Sequence, residues 1–340
     1  MDVRQELLQA WVCQTLKGMN LSQPQGSLTT VSGDASFRRY FRQAVTDGSF
    51  IAVDAPPDKE NNPVFVNIAQ AWYEQGISVP KVIKADFEQG FMLLADMGDQ
   101  LLLPLLNEAS CDELYEQAMD ALITIASSYH ALPPYDEVLL DREMALFRDW
   151  FLLEHLNFEL TRNDERILKD TFELLRESAL GQIQVPVHRD YHSRNIMVLK
   201  DASLGIIDFQ DAVQGAITYD LVSLLRDCYI SWPPEQVHDW VKAYFKKAKQ
   251  AGIIGAISEQ QFILWFDWMG LQRHIKVAGI FARLAIRDGK SDYLNDIPLT
   301  LSYIVSVSAE YDALSEFHQW LKTRLLPTIN MELPELGGVS

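Results

Sequence analysis

The chain has 340 residues, 48% of them hydrophobic, and 47 acidic against 29 basic side chains give a net charge of −18. That apolar content is ample for a buried core of one two-lobed unit or two domains. The acidity argues against nucleic acid as a partner, because binding a polyanion depends on a positive surface.

No run approaches the roughly 18 apolar residues of a membrane span, and the N-terminus, MDVRQELLQAWVCQTLKG, lacks a basic region followed by an apolar stretch. The expectation is a soluble cytoplasmic protein with no membrane and no obligate protein partner. Cys13, Cys111 and Cys228 are odd in number and far apart, which fits reduced thiols.

Residues 3–18 have helical periodicity, with Leu7, Leu8, Trp11, Val12 and Leu16 on one side. Strands are predicted at 28–31 and 37–45, flanking SGDAS, and at 50–53. A helix follows at 60–75, then strands at 81–85 and 91–95. Beyond Asp96 helices dominate, at 111–131, 141–157, 163–180, 218–230, 235–250, 258–282 and 298–322. The change predicts an α+β protein whose first lobe, 1–96, holds a small antiparallel sheet and whose second, 97–340, is mainly helical.

The stretch 185–211, VPVHRDYHSRNIMVLKDASLGIIDFQD, concentrates the chemistry. HRDYHSRN has an Asp followed five positions later by an Asn, and IIDFQ places a second Asp after a β-branched run, the order of a kinase catalytic loop and its metal ligand. Residues 196–199 and 204–207 read as two strands joined by a turn. A two-residue loop at Asp201 and Ala202 puts Asn195 opposite Asp208. A three-residue loop turns the two side chains to opposite faces unless a bulge compensates. Asp208 and Asn195 offer the oxygen ligands that Mg²⁺ takes, and Asp190 is placed to accept a proton from a hydroxyl.

These residues resemble the aminoglycoside phosphotransferase group of small-molecule kinases, which share a two-lobed architecture with protein kinases. The resemblance implies ATP and Mg²⁺, with Asp190 as catalytic base, Asn195 and Asp208 as metal ligands and His188 bracing the loop. ITYDLVSLLRD at 217–227 resembles the group's helix after the site, with Asp220 bracing rather than reacting.

The loop SGDASFRRYFR then falls where a kinase keeps its phosphate-covering loop. Ser32, Gly33, Ala35 and Ser36 would let backbone N–H groups approach phosphates, with Arg38 and Arg39 as candidate contacts and Arg42 nearby. A plain hairpin turn is the alternative. A protein kinase places a Lys on the third strand, but FIAVDAPP puts Asp54 there, and Glu60 and Glu74 compete for the ion-pair position. At 93–99, LLADMGD reads as a hinge, with backbone at Asp96 and side chains Leu94 and Met97 for adenine.

GDASFRRYFR, VDAPP, LLADMGD and LQRHIKVAGIFARL together are similar to a subgroup of bacterial cell-wall amino-sugar kinases, over residues of about 28–300. That resemblance implies phosphorylation of the anomeric hydroxyl of N-acetylmuramate and N-acetylglucosamine. The sugar would face Asp190 from the helical lobe, with Gln272, Arg273 and His274 interrupting an apolar helix face, Glu154 as a further contact, and Arg194 in the catalytic loop as a substrate contact at the transferred phosphate. Arg273 would pair with a lactyl carboxylate or with an internal acid such as Asp227 or Asp267. Two other readings stay open: an aminoglycoside or other small-alcohol kinase, and a nucleotide-binding regulator without transfer activity.

Overall fold

The computed structural model describes residues 2–33, 37–329 and 332–337. It divides into two units, each with its own core. The first holds the described residues up to Leu101 together with Asn195–Asp211; the second holds Leu102–Arg194 and the described residues from Ala212 on.

The first unit begins with α1, Val3–Gly18, started by Asp2, whose carboxylate accepts the Arg4 and Gln5 N–H groups. Leu8, Val12 and Leu16 recur at a spacing of four and so share one face. They pack on Leu28, Phe41, Val45, Ala52, Phe91 and Leu93 from one side of the sheet. The strands are β1 (Pro24–Gly33), β2 (Arg39–Val45), β3 (Gly48–Asp54), β4 (Val82–Asp86) and β5 (Phe91–Ala95), in the antiparallel order β1-β2-β3-β5-β4. Helix α2, Asn62–Glu74, follows β3 and starts at an Asn61 cap with a Pro in its first turn. Five strands and one helix match the sequence expectation.

The second unit is mainly helical: α3 (Cys111–Ala126), α4 (Glu137–Leu146), α5 (Arg162–Leu180), α6 (Tyr219–Leu225), α7 (Pro234–Gln250), α8 (Glu259–Asp288), α9 (Ile297–Glu310) and α10 (Ser315–Trp320). Helix α8 is its axis, packing against α4, α5, α6, α7 and α9. Gly279 permits a close approach to the end of α4, since a Cβ there would stand 2.3 Å from the Leu146 carbonyl carbon.

Several boundaries differ from the sequence expectation. The helix expected at 141–157 is α4 followed by a wider π turn over Phe147–His155. The one expected at 298–322 breaks at Tyr311, whose backbone is extended and whose hydroxyl donates to Asp267. The helix expected at 218–230 ends at Leu225. Two short strands that the sequence did not announce, β6 (Gln184–Val187) and β9 (Val213–Ala216), pair with each other and bracket the stretch 188–212. Between them β7 (Ile196–Val198) and β8 (Leu204–Ile206) form a hairpin in the first unit. Among the described residues no helix is long and apolar enough to cross a membrane.

Candidate active site

In the β7–β8 hairpin Ile196 pairs with Ile206, Met197 with Gly205 and Val198 with Leu204. Leu199 and Ser203 then flank a three-residue loop, with Leu199 N–H donating to Ser203 O at 2.8 Å and Ala202 left-handed at φ 64°. Of the two loops considered, the structure has the three-residue one: Ile207, not Asp208, donates its N–H to Asn195 O, at 3.1 Å. Asn195 and Asp208 nevertheless meet, Nδ2 to Oδ2 at 3.4 Å, because Asp208 itself sits at φ 66° and leaves the strand. Backbone irregularity restores what the shifted register would have removed. Gln210 Nε2 donates to the other Asp208 oxygen at 2.7 Å. One carboxylate and one amide oxygen suit Mg²⁺, which binds through one or two carboxylates plus substrate phosphates and keeps several waters. Among the described residues no three His, Cys, Asp or Glu side chains converge as a closed metal cage.

Phe209 packs its ring 4.9 Å from Phe65 of α2, and the Arg38 guanidinium lies 4.8 Å over the other partner of that contact, the Phe65 ring. Arg38 is buried and pairs with Glu60 at 3.1 Å, so Glu60 rather than the exposed Glu74 holds an arginine at the start of α2. Asp54 needs a further correction. Its cross-strand partner is Arg39, two residues from Phe41, which puts it on the sheet face covered by α1. There it is fully buried and takes bonds from Arg4 and Arg39, whose guanidinium also reaches Asp2. The opposite face at this point of β3 presents Val53, so Asp54 does not occupy the strand Lys position. Of the expected loop residues, Ser32 and Gly33 pair with Tyr40 and Arg39 at the end of β1; Ala35 and Ser36 lie outside the described residues.

At the hinge Leu94 is buried in β5 opposite Ile51. The Asp96 carboxylate accepts from Arg42 at 2.5 and 3.0 Å, from Ser49 at 2.6 Å and from Gly98 N–H at 2.8 Å. Burial pushes that carboxyl up, but the Arg42 guanidinium and these donors outweigh it and hold it below the usual range. Met97 lies against Gly205, where a Cβ would come within 2.8 Å of its sulfur.

In the second unit, Asp190 lies on the turn that follows β6. His188 is fully buried, and its Nδ1 accepts the Asp190 N–H at 3.2 Å. Arg189 is left-handed at φ 78°, a conformation rare outside glycine, and the buried Asp220 fixes it by accepting the N–H groups of His188 at 2.6 Å and Arg189 at 2.9 Å. Burial pushes the Asp220 carboxyl up to about 7 against these donors. Asp227 secures the far end of the turn, taking the Ser193 N–H at 2.9 Å and the Ser193 hydroxyl. Burial also raises the Asp190 carboxyl, but Lys276, His192, Arg189 and His188 pull further the other way and keep it ionised.

That electrostatic set was missed in the sequence. Lys276 of α8 reaches Glu143 at 3.1 Å and the Tyr219 hydroxyl at 2.9 Å, and Glu143 also accepts from Arg189 and Tyr135. The signal was present: Lys276 stands one helical turn after Arg273 and interrupts the same apolar run.

The sugar-site residues expected on α8 separate. Gln272 is fully buried, and among the described residues neither of its amide atoms finds a hydrogen-bond partner. His274 is buried, stacked on Tyr303 at 4.5 Å and bonded through Nε2 to Arg226 O; burial drives its pKa down to about 3, so it stays neutral. Arg273 is buried and donates to Cys228 Sγ at 3.5 Å. Asp267 is engaged by Arg226 at 2.5 Å. Arg194 is exposed and lies 3.5 Å over the Tyr229 ring, and Glu154 is exposed on the π turn.

A model of the phosphotransferase enzyme family matches residues 27–253. The N-acetylmuramate/N-acetylglucosamine kinase of Pseudomonas aeruginosa is 42% identical over 327 residues, covering 94% of this chain and 96% of that protein. The kinase of the same name from Neisseria meningitidis serogroup B is 40% identical over 301 residues, 86% of this chain and 89% of its own. Among solved structures, a Plasmodium vivax ethanolamine kinase aligns with a TM-score of 0.59 at 12% identity, over 81% of each chain. A choline kinase from Streptococcus pneumoniae aligns with a TM-score of 0.59 at 13% identity, over 87% of this chain and 98% of that one. These last two likenesses concern the fold.

Proposed function

The chain belongs to the phosphotransferase enzyme family, and from that premise we propose that it transfers the γ-phosphoryl group of ATP to the anomeric hydroxyl of N-acetylmuramate and N-acetylglucosamine. The observation that carries this reading is Asp190, ionised by the surrounding Lys276, His192 and Arg189 and fixed by a turn whose backbone is bonded to Asp220. The identity of more than 40% to a kinase named for these sugars, spanning 94% of the chain, selects the acceptor.

Asp190 orients the sugar hydroxyl and accepts its proton as the oxygen attacks phosphorus in line with the departing ADP; the bond to the bridging oxygen breaks and a sugar 1-phosphate forms. Asn195 and Asp208 would hold Mg²⁺, which when bound offsets the charge on the β- and γ-phosphates. Arg38, steadied by Glu60 and Phe65, provides the cation that the third strand lacks. Backbone at 95–98 is left for the adenine edge, since the Asp96 carboxylate is spent on Arg42 and Ser49.

The test is ADP release by the purified protein with ATP and Mg²⁺ and, in parallel, each of the two sugars and an aminoglycoside. Release with the sugars is expected. Release with the aminoglycoside alone would move the protein to the antibiotic-modifying branch, and release with none of them would contradict transfer to these acceptors.

A further inference from the structure

Three cationic side chains are more than nine-tenths buried among the described residues of the second unit: Arg226, Arg273 and Lys276. Taking such a group out of water is unfavourable unless an anion accompanies it. Arg226 has Asp267 at 2.5 Å and Lys276 has Glu143 at 3.1 Å. Arg273 differs: among the described residues no carboxylate lies within 4.0 Å of its guanidinium, and its hydrogen bond goes to the Cys228 thiol at 3.5 Å. Burial pushes that thiol up, so it remains neutral and brings no compensating charge.

The nearby acids do not fill the gap. Asp227 gives its oxygens to Ser193 and to the Tyr229 N–H, and both it and Asp190 act on Arg273 only from beyond ion-pair distance. That influence also places Arg273 in the electrostatic neighbourhood of the proposed base, within one unit. Arg194 makes the contrast, since among the described residues it too lacks a close carboxylate but stands in solvent, where none is needed.

We propose that Arg273 is the receptor for a carboxylate on the acceptor, the lactyl group by which N-acetylmuramate differs from N-acetylglucosamine. This rests on the amino-sugar reading and deepens it: a planar guanidinium can pair with a carboxylate through two parallel N–H bonds. The neutral sugar makes no demand on that side chain. Arg273 is then a specificity residue that separates the two acceptors.

Steady-state kinetics of Arg273→Gln on both sugars test it. The KM for N-acetylmuramate should rise by about 10- to 100-fold relative to that for N-acetylglucosamine, the range for a lost charged hydrogen bond. Since a substitution at a buried site can harm the fold, the unmodified protein is also assayed with the carboxamide of N-acetylmuramate. It should use that neutral analogue about 10- to 100-fold less well than the acid, whereas Arg273→Gln should treat acid and amide alike. Equal use of acid and amide by the unmodified protein overturns the proposal. So does an equal fall for both sugars in the variant, the mark of a phosphate contact or a structural role. Failure of the unmodified protein to phosphorylate either sugar would remove the amino-sugar reading and the proposal with it, a result distinct from the other two.

Discussion

The turn that carries Asp190 and the hairpin that carries Asn195 and Asp208 both use a left-handed non-glycine residue, Arg189 at φ 78° in one and Asp208 at φ 66° in the other. They are braced by different means. The turn depends on acids from other elements, Asp220 on the His188 and Arg189 N–H groups, Asp227 on Ser193 and Glu143 on the Arg189 guanidinium. The hairpin is held by backbone, through Leu199 to Ser203, Ile207 to Asn195, Val198 to Gln100 and Ile206 to Ser78, at 2.7–3.1 Å. A backbone ladder has no pKa, whereas a carboxylate brace does. The proposed base is thus tied to titratable groups and the proposed metal pair to register.

The largest effect expected is that of Asp190→Asn, which should lower kcat by about 10²- to 10⁴-fold, as loss of a general base does, while nucleotide affinity measured by calorimetry stays close to that of the unmodified protein. A normal kcat would take Asp190 out of its role. Asp208→Ala comes next and acts on the other region: the gain in nucleotide affinity that Mg²⁺ confers should vanish, and its persistence in a titration with and without the metal would count against the pair.

Asp220→Asn addresses the titratable brace directly. The carboxyl is raised from 3.8 to about 7 in the folded protein, so its contribution to stability is complete below about pH 4 and is lost as pH rises through 7. Over that interval the unmodified protein should lose on the order of 2–4 kcal/mol more than the variant, whose amide does not ionise. Parallel unfolding curves for the two proteins from pH 5 to pH 8 would show that Asp220 is not the linked group.

Ala202→Gly should have the smallest effect. Alanine at φ 64° is strained where glycine is not, and the gain is partly offset by the freer unfolded chain. The melting temperature should rise by about 1 °C with kcat unchanged; a fall in kcat would mean that the loop does more than set register.

Much of this was legible. The order and type of the elements, the separation of strands from helices, and the set His188, Asp190, Asn195 and Asp208 follow from periodicity and motif spacing, whereas Asp220 came only from the family resemblance of the stretch 217–227. The failures have physical causes. The facing of Asp54 was hidden because β3 is covered on both sides at its end, Ala52 and Val53 both being buried, so no polar alternation marks the outer face. The choice between a two- and a three-residue loop could not be made from sequence because the left-handed residue is alanine rather than glycine or asparagine. The π turn over 147–155 keeps an apolar periodicity close to that of a helix. Pairing of Lys276 and Arg189 with Glu143 joins positions far apart in sequence, which no local pattern encodes. The separation of Arg273 from its buried neighbours Gln272 and His274 likewise required partners to be visible.

Phosphorus NMR of the unmodified protein with ATP, Mg²⁺ and N-acetylmuramate tests the central claim most directly. An acid-labile sugar 1-phosphate signal growing as the ATP γ-phosphate signal falls is the predicted result. Inorganic phosphate as the sole product, or a phosphate ester on another hydroxyl that survives acid, would contradict transfer to the anomeric oxygen.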